Sequence, residues 1–116
     1  MQLTPITPTL GATIEGVDLH RCSAGEIAAL RTALLRHKVL FVRDQRLDLD
    51  QLHAASARFG DLMKLPYIAP TKTHPAIIEV RKEADEINMG VFGGDWHSDF
   101  SFLSAPPALS ILMASE

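Results

Sequence analysis

The stretch DWHSDFSF, residues 95–102, sets His97 and Asp99 one residue apart among Trp96, Phe100 and Phe102. Imidazole and carboxylate are both good ligands for a divalent metal. In an extended chain residues i and i+2 share a face. That arrangement puts His97, Asp99 and Ser101 on one side and Ser98, Phe100 and Phe102 on the other. Such a pair offers two neighbouring ligands. With a second histidine from elsewhere it becomes the 2-His-1-carboxylate facial triad of non-haem Fe(II) sites, which keeps positions open for reactants. The same spacing also arises where a histidine simply hydrogen-bonds a nearby aspartate at a strand end. Trp96 suits a core as well as a cofactor wall, so spacing alone leaves both readings open.

The elements that must position this stretch are legible around it. TPITPTLGATIEGVDL reads as extended chain with turns, because Pro5 and Pro8 forbid a helix and Gly11 and Gly16 bracket a short apolar strand. SAGEIAALRTALLRHK carries a helix signature. Ser23 caps the first turn, Glu26 reaches back to it, and Ile27, Leu30 and Leu34 recur at helical spacing. Arg36, His37 and Lys38 fall in the last turn, where positive charge suits the helix dipole.

VLFV, residues 39–42, is too short and too β-branched for a helix and reads as a buried strand. A second helix follows, with Asp48 or Asp50 as its cap, Leu52, Ala55 and Phe59 on its apolar face, and Gly60 as its stop. AIIEV, the alternating HSDFSF and ALSILMA are read as three further strands, with a polar and glycine-rich loop over 82–95.

Composition narrows the function classes. A chain of 116 residues is one domain by length and buries roughly two-thirds of its unfolded surface when compact. With 47% hydrophobic and 22% charged residues it has the make-up of a globular protein. The net charge of −3, with no lysine or arginine cluster, argues against nucleic acid and against an anionic membrane surface as partners. Cys22 is the single cysteine, so an intrachain disulfide and a thiolate zinc cage are excluded. The N-terminus lacks a basic region followed by an apolar run, and no stretch has the length of a membrane span. A cytoplasmic, reducing compartment is the expectation.

In order along the chain, LGATIEGVDL, LLRHKVLFVRDQ, ARFGDL, DWHSDFSF and APPALSILMA resemble the N-terminal part of the taurine dioxygenase (TauD/TfdA) family of Fe(II)/2-oxoglutarate-dependent dioxygenases. RFGDL alone is a weak match. The ordered set, with Trp96 before the H-x-D, is specific.

The resemblance implies an α+β fold that is the N-terminal portion of a double-stranded β-helix (jelly roll) with flanking helices, residues 1–116 forming a single partial domain. It implies Fe(II) on His97 and Asp99, with 2-oxoglutarate and O2 as co-substrates. Decarboxylation of 2-oxoglutarate to succinate would be coupled to hydroxylation of a small organic substrate. Cofactor and co-substrate carry that chemistry, and the protein supplies binding and orientation.

The family's second metal histidine, and the arginine whose planar fork pairs with the far carboxylate of 2-oxoglutarate, match nothing in this sequence. His20, His37, His53 and His74 all lie upstream of the motif. His37 is placed at a helix end and His74 in a loop. The expectation is therefore an incomplete site, inactive by itself, in a chain whose apolar strands invite self-association as a homo-oligomer.

On the substrate side, Leu65 stands where taurine-acting members of the family carry a histidine, and Gly93 where they carry an asparagine. These differences point to a small anionic substrate other than taurine. Tyr67, Ile68, Gly93 and Phe100 are the residues expected near its pocket. Asp95 is assigned to the glycine turn, and Arg43 with Asp44 to a structural ion pair. A non-catalytic module that binds itself or a partner is the competing reading. A metal-dependent hydrolase is weaker, because that chemistry needs further ligands.

Overall fold

The computed structural model describes residues 1–83, 85 and 93–114. The chain divides into two compact units, Met1–Leu62 and Met63–Glu116.

The first unit is built around one short strand. Strands β1 (Gln2–Pro5), β2 (Ala12–Glu15) and β3 (Leu40–Val42) form a sheet in the order β1-β2-β3. Glycine brackets β2 as its sequence requires, with Gly11 at φ +80 and Gly16 at φ +68. Strands β1 and β2 pair antiparallel, with Leu3 opposite Ile14. The link between them is closed by Ile6 N–H donating to the Gly11 carbonyl at 2.9 Å and by Thr7, whose hydroxyl both donates to and accepts from Leu10. Strands β2 and β3 pair parallel, with Ile14 opposite Val42. Parallel neighbours need a crossover, here helix α1 (Ala24–His37).

Helix α1 starts with the anticipated capping box. Ser23 Oγ accepts from Glu26 N–H at 3.2 Å, and Glu26 returns its carboxylate to Ser23 N–H at 2.7 Å. Its inward stripe is Ile27, Leu30, Ala33 and His37, while Leu34 is only half-buried. His37 lies at the helix end, as its place in the sequence indicates, and its carbonyl accepts from Gly11 N–H at 2.8 Å. Ile14, Cys22, Ile27 and Leu30 form the core, with Val17, Leu19, Leu40, Val42 and Phe59 packed around it. Burial raises the Cys22 thiol pKa, and Glu26 adds to the effect.

Helix α2 (Leu49–Ala57) resolves the choice of cap in favour of Asp48, which accepts from Gln51 N–H at 2.7 Å. The helix ends at Ala57, ahead of Gly60. Arg43 does not pair with Asp44. Its guanidinium lies over the Phe41 ring at 5.9 Å, an exposed cation–π contact. Phe41 is exposed, so β3 is buried less than its composition indicates.

Gln45 was not singled out from sequence, yet its side chain makes three backbone contacts. It accepts from Leu19 N–H at 2.9 Å and donates to the carbonyls of Val17 at 2.8 Å and Arg43 at 2.7 Å. It thereby fastens the segment after β2 to the segment after β3.

The second unit corrects part of the sequence reading. Residues 76–80, 97–102 and 108–114, all expected as strands, have no strand pairing among the described residues. In the first run Ile77 spends its N–H on the His74 carbonyl and its carbonyl on Thr71 N–H, closing a loop that Thr71 Oγ1 reinforces. In the second, Phe100 takes φ +50 and its carbonyl accepts from Leu103 N–H at 3.1 Å, so the backbone turns away. A strand is held by its neighbours' hydrogen bonds, and none is supplied within this unit's described residues. Part of the expected loop over 82–95 lies outside the described residues. What stands of the fold is a small α+β piece with a three-stranded sheet.

Leu30 is 1% exposed, so Leu30→Ala should lower stability by about 3 kcal/mol in urea unfolding of the 116-residue chain. Gln45→Ala should cost about 1–3 kcal/mol, because it strands polar backbone groups it now satisfies.

Glu26 supplies a pH signature. Its pKa lies below the ordinary value of 4.5, chiefly through the Ser23 backbone N–H and then the Ser23 hydroxyl. A depressed carboxylate stabilises the fold above its unfolded pKa, and that contribution disappears as pH falls through the folded value. The stability gap between wild type and Glu26→Gln, read from urea midpoints, should therefore be open at neutral pH and close in acid.

Candidate functional site

The residues around His97 and Asp99 fold as a series of turns, and the two side chains meet all the same. His97 Nε2 stands 3.2 Å from Asp99 Oδ1, and both side chains are half exposed. The other ring nitrogen, Nδ1, lies 2.7 Å from the Asp95 backbone carbonyl. A carbonyl only accepts, so Nδ1 carries the proton and the Nε2 lone pair is left facing the carboxylate. Asp95 thus acts through its backbone, in the turn to which the sequence assigns it.

Two lone pairs opposed at this distance repel unless a cation lies between them. A proton is one candidate, and the His97 pKa is accordingly raised. The Asp95 carbonyl is the main cause; desolvation opposes it, and Asp99's charge and hydrogen bond add lesser contributions in the same direction as the carbonyl. A divalent metal is the other. Adjacent ligands at metal–N and metal–O distances of about 2.1 Å sit about 3 Å apart across a right angle, close to the spacing observed. A histidine that ligates through one nitrogen and donates the other N–H to a backbone carbonyl is also the usual arrangement in metal sites. The donor set fits a metal ion with two of its ligands. Among the described residues no group of three or more His, Cys, Asp or Glu is gathered for one.

Asp99 has a second partner that sequence reasoning missed. Ser110 Oγ donates to Asp99 Oδ2 at 2.7 Å. Serine in ALSILMA carries no signal of its own, and only the turn after Phe100 brings it round.

A cleft of about 470 Å³ opens beside the pair, lined by Tyr67, Ile68, Gly93, Gly94, Asp95, His97, Ser98, Asp99, Phe100 and Phe102. The four positions named from sequence as pocket residues (Tyr67, Ile68, Gly93 and Phe100) all lie along it. The two-faced sorting of a strand is absent, since His97, Ser98, Asp99, Phe100 and Phe102 all line the cleft. The Phe100 and Phe102 rings are 5.8 Å apart and tilted by 43°. Tyr67, at φ +68, and Phe100, at φ +50, are bulky residues in the left-handed region, a costly conformation that concentrates at functional sites. Trp96 is fully exposed and belongs to no core.

Gly93 is constrained twice. It has φ +72, and a Cβ there would come within 3.1 Å of His97 Cε1. His74, in its loop, shares a hydrogen bond of 2.9 Å with the Thr73 hydroxyl.

A turn-borne His/Asp pair beside an aromatic cleft is a donor set able to contribute two ligands to a metal ion. The chain belongs to the taurine catabolism dioxygenase TauD, TfdA family, whose model matches residues 2–116. It is 32% identical over 115 residues to an alkylsulfatase of Acinetobacter baylyi, covering 97% of this chain and 34% of that protein. It is 30% identical over 115 residues to an alpha-ketoglutarate-dependent sulfate ester dioxygenase of Pseudomonas putida, covering 97% of this chain and 36% of that one. Among solved structures it resembles a taurine dioxygenase from Burkholderia xenovorans, with TM-score 0.58 and 39% identity over 64% of this chain and 27% of that one. The chain therefore spans about a third of the length of the curated relatives it matches. Among the described residues no helix is long and apolar enough to cross a membrane.

Gly93→Ala should destabilise the chain by about 1–2 kcal/mol through its backbone angle and push the His97 ring off the Asp95 carbonyl. Imidazole ¹⁵N shifts should report the Nδ1–H tautomer in the neutral wild-type ring and a mixture of tautomers in the variant.

Proposed function

We propose that residues 1–116 are one partial domain, the N-terminal portion of a jelly-roll dioxygenase, in which His97 and Asp99 hold Fe(II) and 2-oxoglutarate is the co-substrate. The observation that carries this reading is the opposed pair, Nε2 to Oδ1 at 3.2 Å, with the tautomer set by Asp95. Family membership supports iron and 2-oxoglutarate over other divalent chemistry.

Bound iron would supply the oxidation, in which 2-oxoglutarate and O2 give succinate and CO2 while one oxygen atom enters a substrate C–H bond. The chain's own groups bind and orient. Asp95 holds the imidazole, Asp99 supplies negative charge, and the Phe100 and Phe102 rings give the cleft an apolar wall that limits water. The second histidine and the 2-oxoglutarate arginine have no assigned counterpart among these residues.

The substrate is read as a small anionic molecule other than taurine. Leu65 and Gly93 offer no polar side chain where the taurine pattern has histidine and asparagine, and two relatives are named for alkyl sulfate or sulfate ester chemistry. The compartment proposed is cytoplasmic.

A second reading has one observation in its favour. Tyr67, Trp96, Phe102 and Leu112 are between 71% and 105% exposed, an apolar surface suited to a second copy or to further protein. In that reading the chain is a self-associating or partner-binding module.

Anaerobic titration with Fe(II) and 2-oxoglutarate separates the two. Iron binding that is lost in Asp99→Ala is the outcome expected of the dioxygenase segment, and a visible charge-transfer band near stoichiometric iron would mean that the missing histidine and anion site are supplied by another chain. Absence of the band, with iron held no tighter than by the variant and dimers on a sizing column, would favour the module.

A further inference from the structure

We propose that Ser110 is a positioning residue that keeps Asp99 a one-oxygen ligand. This rests on the reading of His97 and Asp99 as metal ligands. The two carboxylate oxygens of Asp99 are already in different situations. Oδ1 faces His97 Nε2 at 3.2 Å, and Oδ2 accepts the Ser110 hydroxyl at 2.7 Å. A hydroxyl-to-carboxylate bond of that length is charge-assisted and among the stronger kinds.

The contact has two consequences. It fixes the carboxylate's rotation, because a plane anchored at Oδ2 leaves Oδ1 directed at the imidazole. It also engages one of the two lone pairs of Oδ2 and draws off part of that oxygen's charge, which makes Oδ2 a poorer second donor to the same ion. A carboxylate free to chelate through both oxygens takes up an additional coordination position. In a site whose chemistry depends on positions left open for reactants, that loss matters more than the added bond.

Other features of the unit are consistent with a dedicated contact. Ser98 and Ser101 bond each other, Oγ to Oγ at 2.6 Å. Ser110 is exposed and contributes nothing to a buried core, so removing its hydroxyl tests orientation and not packing. Groups that orient metal ligands in this way are worth about 10–100-fold in metal affinity.

The test uses Mn(II) alone, added to the 116-residue chain and to Ser110→Ala, Ser110→Thr and Asp99→Ala, with affinity read by calorimetry. Infrared difference spectra with ¹³C-labelled aspartate, referenced to Asp99→Ala, report the ligation mode. A carboxylate bound through one oxygen shows a wide separation between its antisymmetric and symmetric stretches, and a chelating one a narrow separation.

The expected result is binding about tenfold weaker in Ser110→Ala, with a narrowed band separation. Ser110→Thr, which keeps the hydroxyl, should restore both. If Asp99→Ala loses Mn(II) while Ser110→Ala keeps wild-type affinity and separation, the role of Ser110 is overturned and the ligand assignment stands. If wild type and Asp99→Ala bind Mn(II) equally, the ligand assignment itself fails and Ser110's role falls with it.

Discussion

A β-strand exists only where another strand pairs with it, and the contrast between the two units follows from that constraint. Strand β2 has a partner on each side. One is reached through a tight link closed by Thr7 and Gly11, the other through a capped helix that returns the chain alongside. Both partners lie close in sequence, so the ladder costs little loop-closure entropy. The apolar side of β2 then meets Ile27 and Leu30, and a core forms. In the second unit the runs around Ile77, Phe100 and Ile111 have strand composition, yet the described residues give them no such neighbour. Their backbone groups turn instead to local partners, as at His74–Ile77 and Phe100–Leu103.

The site arises from those turns. An extended backbone would carry His97 and Asp99 side by side and send Phe100 and Phe102 to the opposite face. The turned backbone keeps the first relation and loses the second, so the His97/Asp99 pair and the aromatic rings border one cleft. It also brings Ser110 to Asp99 across a gap in sequence that no pattern of spacing would bridge. Around His97 the polar order runs in one direction. The Asp95 carbonyl takes the Nδ1 proton, Nε2 faces Oδ1, and Oδ2 is held by Ser110. Each link limits the freedom of the next, which is how a pair of exposed side chains acquires a defined geometry.

Glycine enters this order through Gly93. Its left-handed backbone and its closeness to the imidazole both exclude a side chain. The position where taurine-acting family members are expected to carry asparagine therefore has a local reason to be glycine here, apart from any substrate.

Sequence by itself determined the features that depend on near neighbours. Those are the capping box at Ser23, most of the apolar stripe of the first helix, the glycine limits of β2 and the H-x-D pair, because each is set by residues within a few positions of one another. The ordered segments also fixed the family, which the match over residues 2–116 bears out. Tertiary structure alone decided what depends on long separations: Gln45 fastening two segments, Ser110 holding Asp99, and the loss of strand in residues 97–102. Propensity reports what a segment can do, whereas a hydrogen bond between distant residues exists only once the chain between them has taken its path. The physical reason is that partner choice, unlike local preference, is not written at the site itself.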